Sequence, residues 1–405
     1  MRLKDFSVLN PQYKGESLDC EVSFVPMESL RNGAIDYQDI PFAEGKGKYT
    51  YFQDGDLLVA KVTPCFENGN IAIANNMKQG VGFGSSEIFV LHMNDKVLNT
   101  YMFYITQTAK FQEGACATMC GVGGLKRISP LFMRTYELDI PSLSKQQRIV
   151  DYLGVKLGKI DARIAVLEKQ QDAYARLKKS VIHHAVTHGL DPNVSLKDSG
   201  VEWIGMIPEH WEVKRIKELC SFVSRGATPN YVDEGEYKVM NQAVFSTGNL
   251  NHKVVRYSSY MKSESQIKKG DLLIASTGGG VLGKLYFFDD EDLNFYADTH
   301  VTIVRSEKGL FCVKFLFYLL SYQFDMVNTC MAKGSTNQTE LQRDCLLSYE
   351  LAIPSLVEQQ TIIAYLDEKC AKIDTATENI GKQIDALKRL KRALINEVVT
   401  GQRAV

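Results

Sequence analysis

The chain has 405 residues, of which 45% are hydrophobic and 23% charged, and its formal net charge is −1. That length suggests two or three domains of ordinary globular composition. Near-neutral charge excludes a uniformly basic nucleic-acid binder, no run of 18 apolar residues offers a membrane span, and the opening MRLKDFSVLN has no apolar signal-peptide core.

Nine cysteines are scattered along the chain. An odd number without a secretory signal predicts free thiols in a reducing cytoplasm. Cys116 and Cys120 have no second Cys/His pair nearby, so no zinc site is expected there. Charge is spread by segment: residues 1–140 net −3, 141–209 net +2, 210–352 net −1 and 353–405 net +1. Phosphate contacts would therefore come from local patches or from a basic partner.

Residues 1–140 read as mixed α/β. Gly55-Asp56 is a turn ahead of an apolar strand, and the segments at 69–74 (GNIAIA) and 87–92 (EIFVLH) are strand-like. Asn10-Pro11-Gln12-Tyr13 reads as a turn; it lacks the second proline of the amino-methyltransferase tetrapeptide it faintly resembles. An apolar segment of helical length covers 97–107, and a polar loop, GACATMCGVGGLKR, covers 114–127.

From residue 140 the sequence changes character. IPSLSKQQRIVDYLGVKLGKIDARIAVLEKQQDAYARLKKSVIHHAVT (140–187) returns as IPSLVEQQTIIAYLDEKCAKIDTATENIGKQIDALKRLKRALINEVVT (353–400), at an offset of 213 and without a gap. About half of the paired positions are identical. Leu153, Ile160, Leu167, Tyr174 and Val181 recur every seventh residue, with Val150, Leu157 and Ile164 on a companion row. The second copy has Leu366, Ile373, Ile380, Leu387 and Leu394, with Ile363, Cys370 and Ile384. Two apolar rows at heptad spacing make a narrow coiled-coil seam, too narrow to bury alone, so the two helices are expected to pair with each other. Ser144 with Gln147 and Ser355 with Glu358 fit capping boxes, and Gly189 and Gly401 mark the ends. His183, His184 and His188 close the first helix, where an imidazolium favours the helix dipole; metal binding is the weaker alternative. The basic runs Arg176-Lys178-Lys179 and Lys388-Arg389-Lys391-Arg392 are either solvated faces or contacts to DNA or an acidic partner.

Residues 190–211 are rich in turn formers and read as a connector. The second half then repeats the first: Arg215-Ile216-Lys217-Glu218-Leu219 against Arg2-Leu3-Lys4-Asp5-Phe6, and Gly270-Asp271 against Gly55-Asp56. Strands are expected at 284–289 and 300–305 and a helix at 313–322. The middles of the halves diverge. Gly278-Gly279-Gly280-Val281-Leu282-Gly283-Lys284 nearly spells a phosphate-binding loop, but Leu285 stands where magnesium needs Ser/Thr, and a strand follows in place of a helix. A glycine-rich turn bringing Lys284 to a DNA phosphate is the remaining functional reading. The loops carrying Lys126 and Arg127 in one half, and Lys333, Ser335, Thr336, Asn337 and Gln338 in the other, hold groups able to bond phosphates and base edges.

The expected fold is mixed α/β (α+β): two pseudo-twofold-related globular halves joined by two long antiparallel coiled-coil helices. The segments are residues 1–140, 141–209, 210–352 and 353–405. Helix pairing falls to Leu153, Ile160, Leu167, Tyr174, Leu366, Ile373, Ile380 and Leu387.

Several of these motifs together identify a resemblance. They are the two Ile-Pro-Ser-Leu-x-x-Gln-Gln openings, Lys-Ile-Asp at 159–161 and 372–374, Ile207-Pro208-Glu209-His210-Trp211, and the repeated Gly-Asp-Leu-Leu. In this order and doubled, they resemble the specificity subunit of Type I restriction–modification systems, over essentially the whole chain. One departure is that the Ile-Pro-x-x-Trp segment has no counterpart in the first half. The resemblance implies a non-catalytic subunit whose two globular halves are target-recognition domains for a split double-stranded DNA sequence, with the helices as the spacer. It implies two modification subunits that use S-adenosylmethionine for adenine-N6 methylation, and restriction subunits that use ATP and magnesium. No cofactor or metal is then expected in this chain. Two other classes stay open: a coiled-coil scaffold with two protein-binding ends, and a nucleotide-dependent or methyl-transferring enzyme, which would need a cofactor loop.

Overall fold

The computed structural model describes residues 1–405 apart from 123, 279, 293, 308, 310, 324–331 and 334–338. Residues 1–169 with 380–405 form one compact unit, and residues 170–379 form the other. Each long helix thus contributes one stretch to each unit.

In the first unit, a four-stranded antiparallel sheet orders Ser7–Leu9, Ile88–Met93, Leu57–Ala60 and Ile71–Ile73. The second unit repeats it with Phe222–Arg225, Val301–Arg305, Leu272–Ala275 and Leu285–Phe287. A second sheet follows in each unit and contains one parallel pair, Glu21–Val25 with Val81–Gly84 at the centre of the first and Tyr237–Met240 with Phe295–Ala297 at the edge of the second. These second sheets are built from the divergent middles.

The Gly-Asp turns show why the scaffold repeats. Gly55 and Gly270 both take φ of +92°, a conformation open to glycine. It lets the buried carboxylate that follows fold back. Asp56 Oδ2 accepts the Gln53 N–H at 2.9 Å and Asp271 Oδ2 accepts the Lys268 N–H at 2.7 Å. The partners on the neighbouring strand differ. Asp56 meets His92 at 2.7 Å, whereas Asp271 receives both nitrogens of the Arg305 fork at 2.7 and 2.6 Å. The halves also open alike: the Arg2 N–H donates to Asp5 and the Arg215 N–H to Glu218, each at 2.8 Å.

The long helices span Leu143–His188 and Leu356–Val399. Ser144 therefore lies inside the first helix, one residue past its start. In the second, Ser355 precedes the first turn and its Oγ accepts the Glu358 N–H at 3.4 Å. Leu153, Leu167, Leu366, Ile373 and Ile380 are buried; Ile160, Tyr174 and Leu387 are half-buried. In the first unit, Ile149, Leu153 and Leu157 share a core with Leu394, Ile395 and Val398. In the second, Ile182 and Val186 share one with Ile362, Leu366 and Cys370. In the second unit Gln171 reaches the Thr377 carbonyl and Lys178 reaches Asp374, so a rising number on one helix meets a falling number on the other and the helices run antiparallel.

Two reciprocal ion pairs fix the register. Lys391 Nζ donates to both oxygens of Asp161 at 2.7 and 2.8 Å in the first unit. Lys178 Nζ does the same to Asp374 at 2.6 and 2.7 Å in the second. Asp161 and Asp374 are repeat equivalents, as are Lys178 and Lys391. Such part-exposed pairs contribute at most ~1 kcal/mol each. Each buried leucine contributes ~1.5–3 kcal/mol, so the seam supplies the stability and the pairs select the alignment.

The Gln-Gln doublet divides its labour. Gln146 and Gln359 are buried, whereas Gln147 and Gln360 are exposed. Gln146 Oε1 accepts the Leu98 N–H at 2.9 Å, and its amide donates to the Lys96 and Pro141 carbonyls. Gln359 likewise accepts the Cys312 N–H at 3.0 Å and donates to the Pro354 carbonyl. Leu98 and Cys312 are the residues just ahead of the apolar helices Asn99–Thr106 and Val313–Tyr322. Each glutamine therefore ties the opening of a long helix to the start of its neighbour.

The connector holds a short hairpin, Leu196–Asp198 with Met206–Pro208. It leads to Trp211, fully buried, whose indole N–H donates to Glu358 Oε1 at 3.1 Å while His210 meets Glu358 Oε2 at 2.8 Å. No helix of the described residues is long and apolar enough to cross a membrane. The eight described cysteines are free thiols.

Two predictions follow from the packing. Gln146→Ala leaves buried groups unsatisfied and costs about 3 kcal/mol, whereas Gln147→Ala changes stability by less than about 0.5 kcal/mol; urea unfolding midpoints compare them. Leu167→Asp places a charge in the seam and costs about 3–5 kcal/mol, whereas Val166→Asp, on the exposed face, is near neutral in the same measurement.

Candidate nucleic-acid interface

Of the expected DNA-contacting residues, Lys126, Arg127 and Lys333 fall on two equivalent strand pairs. In the first unit, the expected loop consists of the end of a helix, Ala109–Ala117, and an antiparallel pair, Cys120–Val122 with Leu125–Arg127. Sequence patterning gave no sign of this pair because all six of its residues are exposed. In the second unit, Ala332–Lys333 pairs with Glu340–Leu341. The register is the same: Cys120 faces Arg127 and Lys333 faces Glu340, each 213 residues on. Ser335, Thr336, Asn337 and Gln338 lie outside the described residues.

Both hairpins are zipped to the main sheet of their unit. The Thr63 N–H donates to the Lys126 carbonyl at 2.9 Å, and Thr63 Oγ1 accepts the Lys126 N–H at 2.9 Å while donating to Gly124 at 2.7 Å. The Leu341 N–H donates to the Ser276 carbonyl at 2.9 Å, just as the Ile128 N–H donates to the carbonyl of Lys61, the counterpart of Ser276, at 2.9 Å. Ion pairs of opposite polarity hold the two bases. Arg127 forks onto both oxygens of Glu87 at 2.9 Å. In the second unit the hairpin supplies the carboxylate, and Arg225 reaches Glu340 at 3.2 Å and the Leu341 carbonyl at 3.1 Å. Arg127 is therefore an anchor as much as a free cation, whereas Lys126 is exposed on the opposite face of its strand. The Arg127 guanidinium holds the Glu87 carboxyl below its usual range.

Lys284 stands apart from the hairpins, half-buried where the glycine-rich turn enters Leu285–Phe287. A strand follows that turn, so no helix terminus faces a phosphate. The Lys284 carbonyl accepts the Ala275 N–H at 2.9 Å, which closes a hairpin.

The histidines take a different role from the one expected. Burial, then the neighbouring imidazoles, push the pKa of His183 and His188 down, which disfavours the cations a helix dipole would attract. His183 stacks on Tyr322 with ring centroids 4.3 Å apart. Among the described residues, no cluster of three or more His, Cys, Asp or Glu is placed to hold a metal ion. A cleft of about 650 Å³ in the second unit is lined by Lys269, Arg305, Lys314, Phe287, Phe311 and Ile363. Of its cations, Lys269, Arg305 and Lys314 are paired with Glu291, Asp271 and Asp367 respectively.

These features define a duplicated mixed α/β protein, each unit of which presents a sheet-anchored hairpin and a pair of antiparallel helix stretches. Residues 208–386 match the family described as Type I restriction modification DNA specificity domain. In sequence the chain is similar to specificity subunits of Type I restriction enzymes, and in fold to solved structures from such systems. It is 34% identical over 152 residues to the Type I restriction enzyme EcoEI specificity subunit of Escherichia coli, covering 36% of this chain and 26% of that one. It is 25% identical over 398 residues to the MjaVIII specificity subunit of Methanocaldococcus jannaschii, covering 96% and 87%. The chain thus spans about a quarter of the first relative and most of the second. In fold, it matches a chain from a structure of a type I R-M system with a TM-score of 0.76 at 16% identity, covering 98% and 96%. It also matches the HsdS subunit from Thermoanaerobacter tengcongensis with a TM-score of 0.51 at 17% identity, covering 100% and 96%.

The Glu87–Arg127 anchor makes a pH prediction. A carboxyl whose folded pKa is depressed contributes stability that is present above its unfolded pKa, about 4.3, and lost as pH falls through the folded value. Glu87→Gln is expected to be less stable than the parent at pH 7. The difference should shrink as pH falls below about 4.3 and through the depressed folded value, as read by thermal unfolding across that range.

Proposed function

We propose that the chain is the sequence-specific DNA-binding subunit of a Type I restriction–modification complex. In this reading it recognises a bipartite target and carries no catalytic group of its own. The observation that carries the reading is the duplicated hairpin: its backbone register and its attachment to the sheet are equivalent in the two units, while its residues differ. One scaffold carrying two different sets of residues suits two different half-sites. Homology to specificity subunits supports the same conclusion.

Residues 1–140 and 210–352 act as the two target-recognition domains, and 141–209 and 353–405 as the spacer. Lys126, Arg127, Lys284, Lys333, Ser335, Thr336, Asn337 and Gln338 contribute DNA contacts, and Leu153, Ile160, Leu167, Tyr174, Leu366, Ile373, Ile380 and Leu387 pair the helices. The partners are double-stranded DNA, two modification subunits that bring S-adenosylmethionine, and restriction subunits, all in the cytoplasm.

Methylome sequencing of cells carrying the chain with its modification subunits tests the reading. Exchanging residues 1–140 for the matching domain of another specificity subunit should change one half-site and leave the other, and the spacer, as they were. One heptad added to each helix adds ~10 Å of helix, or ~3 base pairs, so it should shift or abolish the methylated motif while leaving each half-site's identity intact. A domain exchange that rewrites both half-sites would refute it.

A further inference from the structure

The tip of the first unit's hairpin is apolar, which suits neither a solvent loop nor a phosphate clamp. Val122 and Leu125 are 89% and 55% exposed. They are direct cross-strand partners, so their side chains project from one face of the ribbon. Lys126 follows Leu125 and therefore projects from the other face. Single exposed apolar residues are ordinary on a surface; two opposed across a ladder at a fixed tip are not.

The strand that carries Leu125 is held to the sheet. Thr63 engages Gly124 and Lys126 through three hydrogen bonds, the Ile128 N–H donates to the Lys61 carbonyl at 2.9 Å, and Arg127 clamps Glu87 below. At Gly121 a Cβ would lie 2.2 Å from the Leu125 carbonyl oxygen, and Gly124 takes φ of +82°. These glycines keep the strands close and the ribbon narrow. A two-stranded ribbon is what the ~12 Å major groove of B-DNA admits, and the apolar group displayed there is the thymine C5 methyl.

We infer that the hairpin at Cys120–Val122 and Leu125–Arg127 enters the major groove and that Val122 and Leu125 read thymine methyl groups in the first unit's half-site. Lys126, on the opposite face, pairs with a backbone phosphate and sets the depth of entry. The inference rests on the DNA-recognition reading above and adds to it the reading element, the groove and the base feature read.

The experiment uses the full chain assembled with its modification subunits. Two duplexes carry the methylated motif, one with thymine and one with deoxyuridine at every thymine position of the half-site that follows residues 1–140 in the domain exchange. The unsubstituted complex should bind the deoxyuridine duplex about fourfold more weakly per methyl in contact. The Val122→Ser/Leu125→Ser variant should bind the thymine duplex more weakly and lose the distinction between the two. Deoxyuridine in the other half-site should affect parent and variant equally.

Equal binding of the two duplexes by the parent, a half-site without thymine, or a variant that still distinguishes them would overturn the inference. So would a variant that fails to assemble with the modification subunits, which would mark the tip as a protein-docking surface. Failure of the underlying reading looks different: cells would show no bipartite methylated motif at all.

Discussion

Everything in this protein depends on two copies of one helical sequence packing antiparallel. When a segment pairs with its own repeat in that sense, each contact between position i of one copy and position j of the other is accompanied by the contact of j with i. Asp161 with Lys391, and Lys178 with Asp374, are one such reciprocal set. This is the logic of a self-complementary interface, here written into one chain. One favourable choice at two positions is used twice, and a parallel alignment would set Asp161 beside Asp374. The seam residues provide most of the free energy, but they are interchangeable enough that charge decides direction.

The same duplication explains what was legible in the sequence. The heptad rows, the Ile-Pro-Ser-Leu openings and the Gly-Asp turns repeat at nearly constant offset, because each meets a backbone or packing demand that recurs in both units. What was not legible depends on partners distant in the chain. Arg127 reads as a loop cation until Glu87, forty residues earlier, is found on its guanidinium. Gln146 reads as a polar residue on a helix surface until its amide is found buried against the Lys96 and Pro141 carbonyls. The hairpin at 120–127 escaped pattern reading because alternation reports a buried face, and this ribbon has none. The repeated Asp161 and Lys178 were visible as identities, and the 213-residue offset held enough information to pair them.

Where the copies differ, the differences occur in matched sets. Glu358 opens the second long helix, and its counterpart in the first is Lys145. The second helix uses the carboxylate to receive the Trp211 indole and His210. Similarly, the buried aspartate of the Gly-Asp turn faces His92 in one sheet and Arg305 in the other. The arginine offers two parallel donors to a carboxylate, whereas the imidazole offers one nitrogen to one oxygen. The two main sheets therefore share their strand order but join their two central strands with different strength.

The opposite polarity of the hairpin anchors limits how such proteins diversify. A recombination event that carried the whole second hairpin into the first unit would bring Glu340 against Glu87, and the reverse transfer would bring Arg127 against Arg225. Either graft would set like charges at the joint. The heritable module is thus smaller than the hairpin or larger than it: the tip alone, inserted between intact anchors, or the entire half with both members of its ion pair. Crossovers that fall between these limits would produce chains whose hairpin is held against a like charge at its base.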